Sequence, residues 1–170
     1  MFDISEHIKS RSDQINADDL MAGPITVKIT GANPGSKEQP VVLHISGGHM
    51  PFKPCKTVLR ILAYAYKTTD AEQWVGQHVR LFRDPTVPSP TGDREAGGVR
   101  ISHMSGIDQK LSLNLSKSKG KKKRHNIAPL SERDIREAMG ASEPTARLDA
   151  FIVEQGLTMA AVEAWIQRQW

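Results

Sequence analysis

Residues 54–83, PCKTVLRILAYAYKTTDAEQWVGQHVRLFR, contain a change of hydrophobic period around which the rest of the chain can be organised. In the first half Val58, Leu59, Leu62, Ala65 and Tyr66 recur at helical spacing, which predicts the main helix over Pro54–Lys67. Pro54 suits a first-turn position, where its missing N–H costs nothing. In the second half Val79 and Leu81 alternate with His78, Arg80 and Phe82, which predicts a strand over Gln77–Arg83. Between the two, Asp70 followed by Gln73 resembles a capping box and predicts one helical turn over Ala71–Val75, closed by Gly76.

Strands flank this stretch on both sides. Upstream, Ile25, Val27 and Ile29 alternate with Thr26, Lys28 and Thr30. The turn-rich GANPGSKEQP follows, then a second alternation through Val41, Leu43 and Ile45 that Gly47-Gly48 ends. Met50–Lys53 is a candidate third strand. Downstream, a Pro/Gly-rich loop, DPTVPSPTGDREAGG, leads to a short strand over Gly98–His103 and a further alternation through Leu111, Leu113 and Leu115. The expected class is therefore mainly β with helices (α+β). The order fits an OB-like five-stranded barrel with one helix inserted between its third and fourth strands. Other small β-barrels with an inserted helix fit the same order.

Four segments are expected: residues 1–19, with Phe2, Ile4 and Ile8 at helical spacing; 20–116, the OB-like nucleic-acid-binding domain; 117–130, a basic linker or arm; and 131–170, a helical appendage. In the appendage Ser131 and Asp134 mark a helix start, Leu148, Phe151 and Ile152 form a stripe that Gly156 ends, and Thr158 opens a helix carrying Met159, Val162, Trp165 and Ile166.

Charge is distributed unevenly. The net charge of +4 conceals a middle segment, residues 51–130, at +9 between ends at −2 and −3. A basic middle points to a polyanionic partner. Cys55 is the only cysteine, which excludes an internal disulfide framework and any cysteine-pair zinc site. No apolar run is long enough to span a bilayer, and MFDISEHIKSRSDQ lacks the apolar core of a secretory signal, so a cytoplasmic protein without a membrane partner is expected.

Catalytic patterns are sparse. The chain has no P-loop spacing, no GxSxG and no HExxH. His44 and His49 read as turn or surface histidines, and Cys55 as a small packed residue. Asp84, Asp93 and Glu95 read as solvated loop charges. No enzyme, no metal site and no cofactor is expected.

Binding patterns are richer. Single strands are held by cationic grooves that follow phosphates and by aromatic platforms that stack bases. Alternation places His78, Arg80 and Phe82 on one face of a strand, with Trp74 just before it, and Arg100 on the next strand extends that surface. Lys53, Lys56, Arg60 and Lys67 fall on one side of the predicted helix. The run Lys117, Lys119, Lys121, Lys122, Lys123 and Arg124 supplies a salt-sensitive attraction to phosphate and, being self-repelling, is expected to stay extended. With aromatics at 5% of the chain, electrostatics should outweigh stacking.

Four stretches, ADDLMAGPITVKI (17–29), KPCKTVLRILAYAY (53–66), DAEQWVGQHVRLFRDPTV (70–87) and GGVRIS (97–102), resemble a group of small bacteriophage and prophage proteins. Its marks are a DL-x-G lead into a first strand, a W-x-G-x-x-V-x-L-[YF] segment and a G-[IV]-R-[IV] strand. Here these fall on Asp19, Leu20 and Gly23, on Trp74, Gly76, Val79, Leu81 and Phe82, and on Gly98, Arg100 and Ile101. The resemblance covers about residues 17–125 and implies an OB-fold single-stranded DNA-binding protein of phage replication or recombination. It supplies no DNA contacts to transfer. It implies single-stranded DNA as partner, with residues 131–170 left for self-association or for replication and recombination proteins. The rival readings are a phage factor that binds a host protein, an enzyme acting on DNA, and a binder of duplex DNA or RNA.

Overall fold

The computed structural model describes residues 12–87, 97–118 and 121–140. The chain divides into two compact units between Glu132 and Arg133. The first is a mixed α+β unit built on one six-stranded sheet. Its strands are β1 (Ile25–Pro34), β2 (Val41–Ile45), β3 (His78–Asp84), β4 (Gly98–Met104), β5 (Leu111–Ser118) and β6 (Lys121–Pro129). The spatial order is β2-β1-β3-β4-β6-β5. All neighbours are antiparallel except β4 and β6, which run parallel. The sheet is open, with β2 and β5 at its edges.

The expected five-stranded barrel is thus not closed, and two segments explain why. Met50–Lys53 does not form a third strand; it contributes one bridge, Leu43 to Phe52, bonded in both directions at 2.8 Å. Pro51 and Pro54 flank that bridge, and neither has an N–H to extend a ladder. The second segment is the basic run, whose described residues belong to β5 and β6 rather than to an extended arm. Leu111, Leu113 and Leu115 of β5 need a partner for their apolar side, and Ile127, His125 and Lys123 of β6 stand opposite them.

Helix α1 (Lys56–Tyr66) buries Val58, Ile61 and Leu62 and packs against β5. It begins two residues later than the sequence suggested, with Cys55 as N-cap. It ends at Lys67, whose φ of 55° is left-handed. The Asp70 cap is realised on a 3-10 turn, Ala71–Trp74: its carboxylate accepts from Glu72 N–H at 3.0 Å and from Gln73 Nε2 at 3.2 Å. Trp74 is buried beneath β1, and Gly76 at φ 92° redirects the chain into β3. The core joins Val27, Ile29, Leu43, Phe52, Leu62, Val79, Leu81, Ile101, Met104 and Ile127.

Helix α2 (Glu132–Ala138) follows Ser131, starts at the last residue of the first unit and carries the i,i+4 pair Arg133–Glu137 at 3.0 Å. The later stripes through Leu148, Phe151, Ile152, Met159, Val162, Trp165 and Ile166 lie outside the described residues, as do Phe2, Ile4 and Ile8.

Leu81 has no exposed surface and sits on the central strand of this sheet. Leu81→Ala should therefore cost about 2–5 kcal/mol, read as a lower denaturant midpoint at unchanged slope.

Candidate nucleic-acid interface

Strand β3 sets the geometry of the candidate surface. Val79 and Leu81 are buried, while His78, Arg80 and Phe82 are half-buried on the opposite side. Residues paired across strands share a face, so register carries that surface sideways. On β1, Thr26 stands beside Arg80 and Lys28 beside His78. Arg80 Nε donates to Thr26 Oγ1 at 2.9 Å, which fixes the guanidinium along the sheet.

On β4, His103 stands beside Arg80 and Arg100 beside Phe82, with a register shift between them. His103 is in turn the parallel neighbour of Ala128 on β6. Period-two alternation from Ala128 brings Asn126, Arg124 and Lys122 onto the same face, and all three are exposed. Their partners on β5, Ser112, Asn114 and Ser116, are exposed too, and Ser112 Oγ donates to Asn126 Oδ1 at 2.7 Å. None of these side chains is acidic.

The six strands together hold nine Lys or Arg residues and one acid, Asp84. That acid is already committed. Its carboxylate accepts from Thr86 N–H at 2.9 Å, Thr86 Oγ1 at 2.6 Å and Lys123 Nζ at 3.0 Å. Burial works to raise the Asp84 carboxyl, but hydrogen bonds from Thr86 and Lys123 outweigh it and hold it below the usual carboxylate value. The bridge ties β6 to the end of β3.

The residues singled out in the sequence divide accordingly. Register brings His78, Arg80 and Phe82 onto one sheet surface with Lys122 and Arg124, whereas Arg100, the neighbour of Phe82, turns its guanidinium to Cys55 and Val99 O. Lys123 alternates with Lys122 and Arg124 and pairs with Asp84, which follows Phe82 at period two on β3. Lys117 and Lys121 fall within β5 and β6, and Lys119 lies outside the described residues. Lys56, Arg60 and Lys67 are exposed on or just after α1, whereas Lys53 precedes the helix and pairs with Asp13. Cys55 is exposed rather than packed. Asp93 and Glu95 lie outside the described residues.

Sequence reasoning missed Lys28 and His103. Alternation on β1 carried the signal for Lys28, whereas His103 needed the register shift. Burial, and then the nearby Lys28, hold His78 below the ordinary histidine value. Burial, then Lys123 and Arg100, do the same for His125 against the opposing pull of Asp84. Among the described residues no group of three His, Cys, Asp or Glu is arranged to hold a metal ion, and no helix is long and apolar enough to cross a membrane. No protein-family model, curated protein or solved structure matches the chain.

Two pH effects follow. The contribution of Asp84 to stability is complete above the unfolded-state carboxyl value and disappears as pH falls through its lowered folded value. Asp84→Asn should flatten that acid limb in stability measured against pH. His78 should titrate below a free histidine, and a bound polyanion should raise its midpoint, as read by NMR of its ring proton.

Proposed function

We propose that the protein binds single-stranded nucleic acid, DNA in particular, across the outward face of the sheet. The observation that carries this reading is the composition of that face. Lys28, His78, Arg80, His103, Lys122 and Arg124 occupy it, Phe82 lies beside Arg100, and the one carboxylate that alternation on β3 adds, Asp84, is paired with Lys123. Like charges on one sheet face repel and destabilise the free protein. A polyanion relieves that repulsion and releases its own counterions on binding. Phe82 and the histidine rings supply flat surfaces on which bases stack. Serine and asparagine side chains on β5 and β6 add neutral donors for phosphate oxygens. Nothing in this arrangement selects a base sequence, so binding is expected to be sequence-tolerant.

The same reading takes the fold as OB-like. The helix lies between the Phe52 bridge and β3, and β3 pairs with both β1 and β4. That connectivity suits a partly open barrel in which β1 to β4 supply four of the five OB strands, the Phe52 bridge stands where the third would lie, and the β5–β6 hairpin is added. The resemblance to phage single-stranded DNA-binding proteins supports the same conclusion, with a role in protecting or organising DNA during replication or recombination.

The test is fluorescence anisotropy with a labelled oligo-dT of about 30 nucleotides, alongside a matched duplex, over a range of salt. Tighter binding to the single strand, weakening steeply with salt, is expected. Replacing Arg80, Lys122 and Arg124 with Gln should weaken binding by about tenfold or more and lower the salt slope by roughly 0.7 for each phosphate that is no longer neutralised. Phe82→Ala should cost about 1–3 kcal/mol if a base stacks there. Equal affinity for the duplex would reduce the face to a general polyanion surface. No binding at low salt would overturn the reading and leave an acidic protein surface as its partner.

A further inference from the structure

Strand β6 pairs with β4 only at His103 and Met104. Further back along β4, the chain borders a cleft of ≈ 290 Å³ whose lining includes Ile15, Phe52, Lys53, Cys55, Val99 and Arg100. It lies outside the face described above, although Arg100 stands beside Phe82.

Three sources of positive potential converge there. Arg100 Nη1 donates to Cys55 Sγ at 3.0 Å and to Val99 O at 3.1 Å, while its Nε is buried without a hydrogen-bond partner. The Lys53 side chain is only 15% exposed. The third source is the amino end of α1, eleven residues long, which begins beside Cys55. Its N-cap makes no side-chain cap hydrogen bond, and its first turn contains no acidic residue. Such an end presents unsatisfied N–H groups and roughly half a positive charge. Lys56 adds a full charge to the same turn.

Among the described residues, Asp13, itself 81% exposed, takes the Lys53 ammonium. The surrounding Ile15, Phe52 and Val99 are apolar.

We infer that this cleft is a phosphate-binding site. It seats one phosphate group between Arg100, Lys53 and the amino end of α1, and an attached sugar or base lies against the apolar wall. A guanidinium fork and helix N–H groups match the several oxygens of a phosphate better than the single charge of a carboxylate such as Asp13. The phosphate is a backbone diester or the terminal group of a strand. Only that source, and not the site, rests on the nucleic-acid reading above.

Cys55 provides the readout, being the only cysteine of the chain and exposed. Full-length protein is alkylated with iodoacetamide, an uncharged reagent, in phosphate or in chloride at matched ionic strength. Phosphate should slow the reaction about threefold or more near saturation. Arg100→Gln should abolish that protection. Asp13→Asn, a change at an exposed position, should strengthen protection by freeing Lys53.

Equal rates in phosphate and chloride, for both the native protein and Asp13→Asn, would overturn the inference. Oligonucleotides then identify the source: equal protection by 5′-phosphorylated and 5′-hydroxyl strands marks a backbone phosphate, and protection by the phosphorylated strand alone marks an end. Oligo-dT binding without phosphate protection would remove this site and leave the DNA reading intact. Phosphate protection without oligo-dT binding would do the reverse.

Discussion

Strand β3 must satisfy two solvents at once, and most of the molecule follows from how it does so. Val79 and Leu81 enter the core at almost complete burial. Because successive side chains on a strand point to opposite sides, that burial forces His78, Arg80 and Phe82 outward. β1 and β4 then pair on either side and inherit the same division. A one-residue slip would drive Arg80 into the core and Leu81 into water, so the hydrophobic face fixes the cationic face as firmly as it fixes itself.

Concentrating cations on a sheet works against the sheet's own stability. The apolar side of the hairpin offsets this cost, with Leu111 and Ile127 directly opposed and packed with the core. The Asp84–Lys123 bridge adds a specific tether between β3 and β6. Lys123 is thereby neutralised by a carboxylate, while Lys122 and Arg124 stay exposed. Alternation thus splits one basic run into a residue paired with β3 and two that stay exposed.

Prolines shape the opposite margin. With Pro51 and Pro54 beside it, Phe52 contributes a single bridge to β2 and no ladder. Ile15 N–H donates to Pro51 O at 2.9 Å, so residues from the N-terminal side occupy part of the edge a third strand would use. The cleft beside Arg100 lies between this margin and β4. The absence of a full strand and the presence of an open, cationic recess have the same origin.

Local pattern determined most of the elements. Alternation placed β1 to β4 and the start of β5, helical spacing placed α1, and the grouping of His78, Arg80 and Phe82 followed from the same alternation. Each of these depends on neighbours a few residues away, which a sequence displays directly. What tertiary structure decided was the fate of weak or contradictory segments. The basic run has no apolar signal until Ile127, and its later part became β6 because the leucines of β5 required a partner. Met50–Lys53 looked like a strand, and with prolines at 51 and 54 it makes a single bridge. Lys53 looked like part of a helical stripe and is held by Asp13, forty residues earlier in the chain. The continuity of the cationic face from His103 to Lys122 depends on a parallel pairing between distant strands. Periodicity is written in adjacent residues, whereas register and ion pairing arise only when the chain folds back on itself.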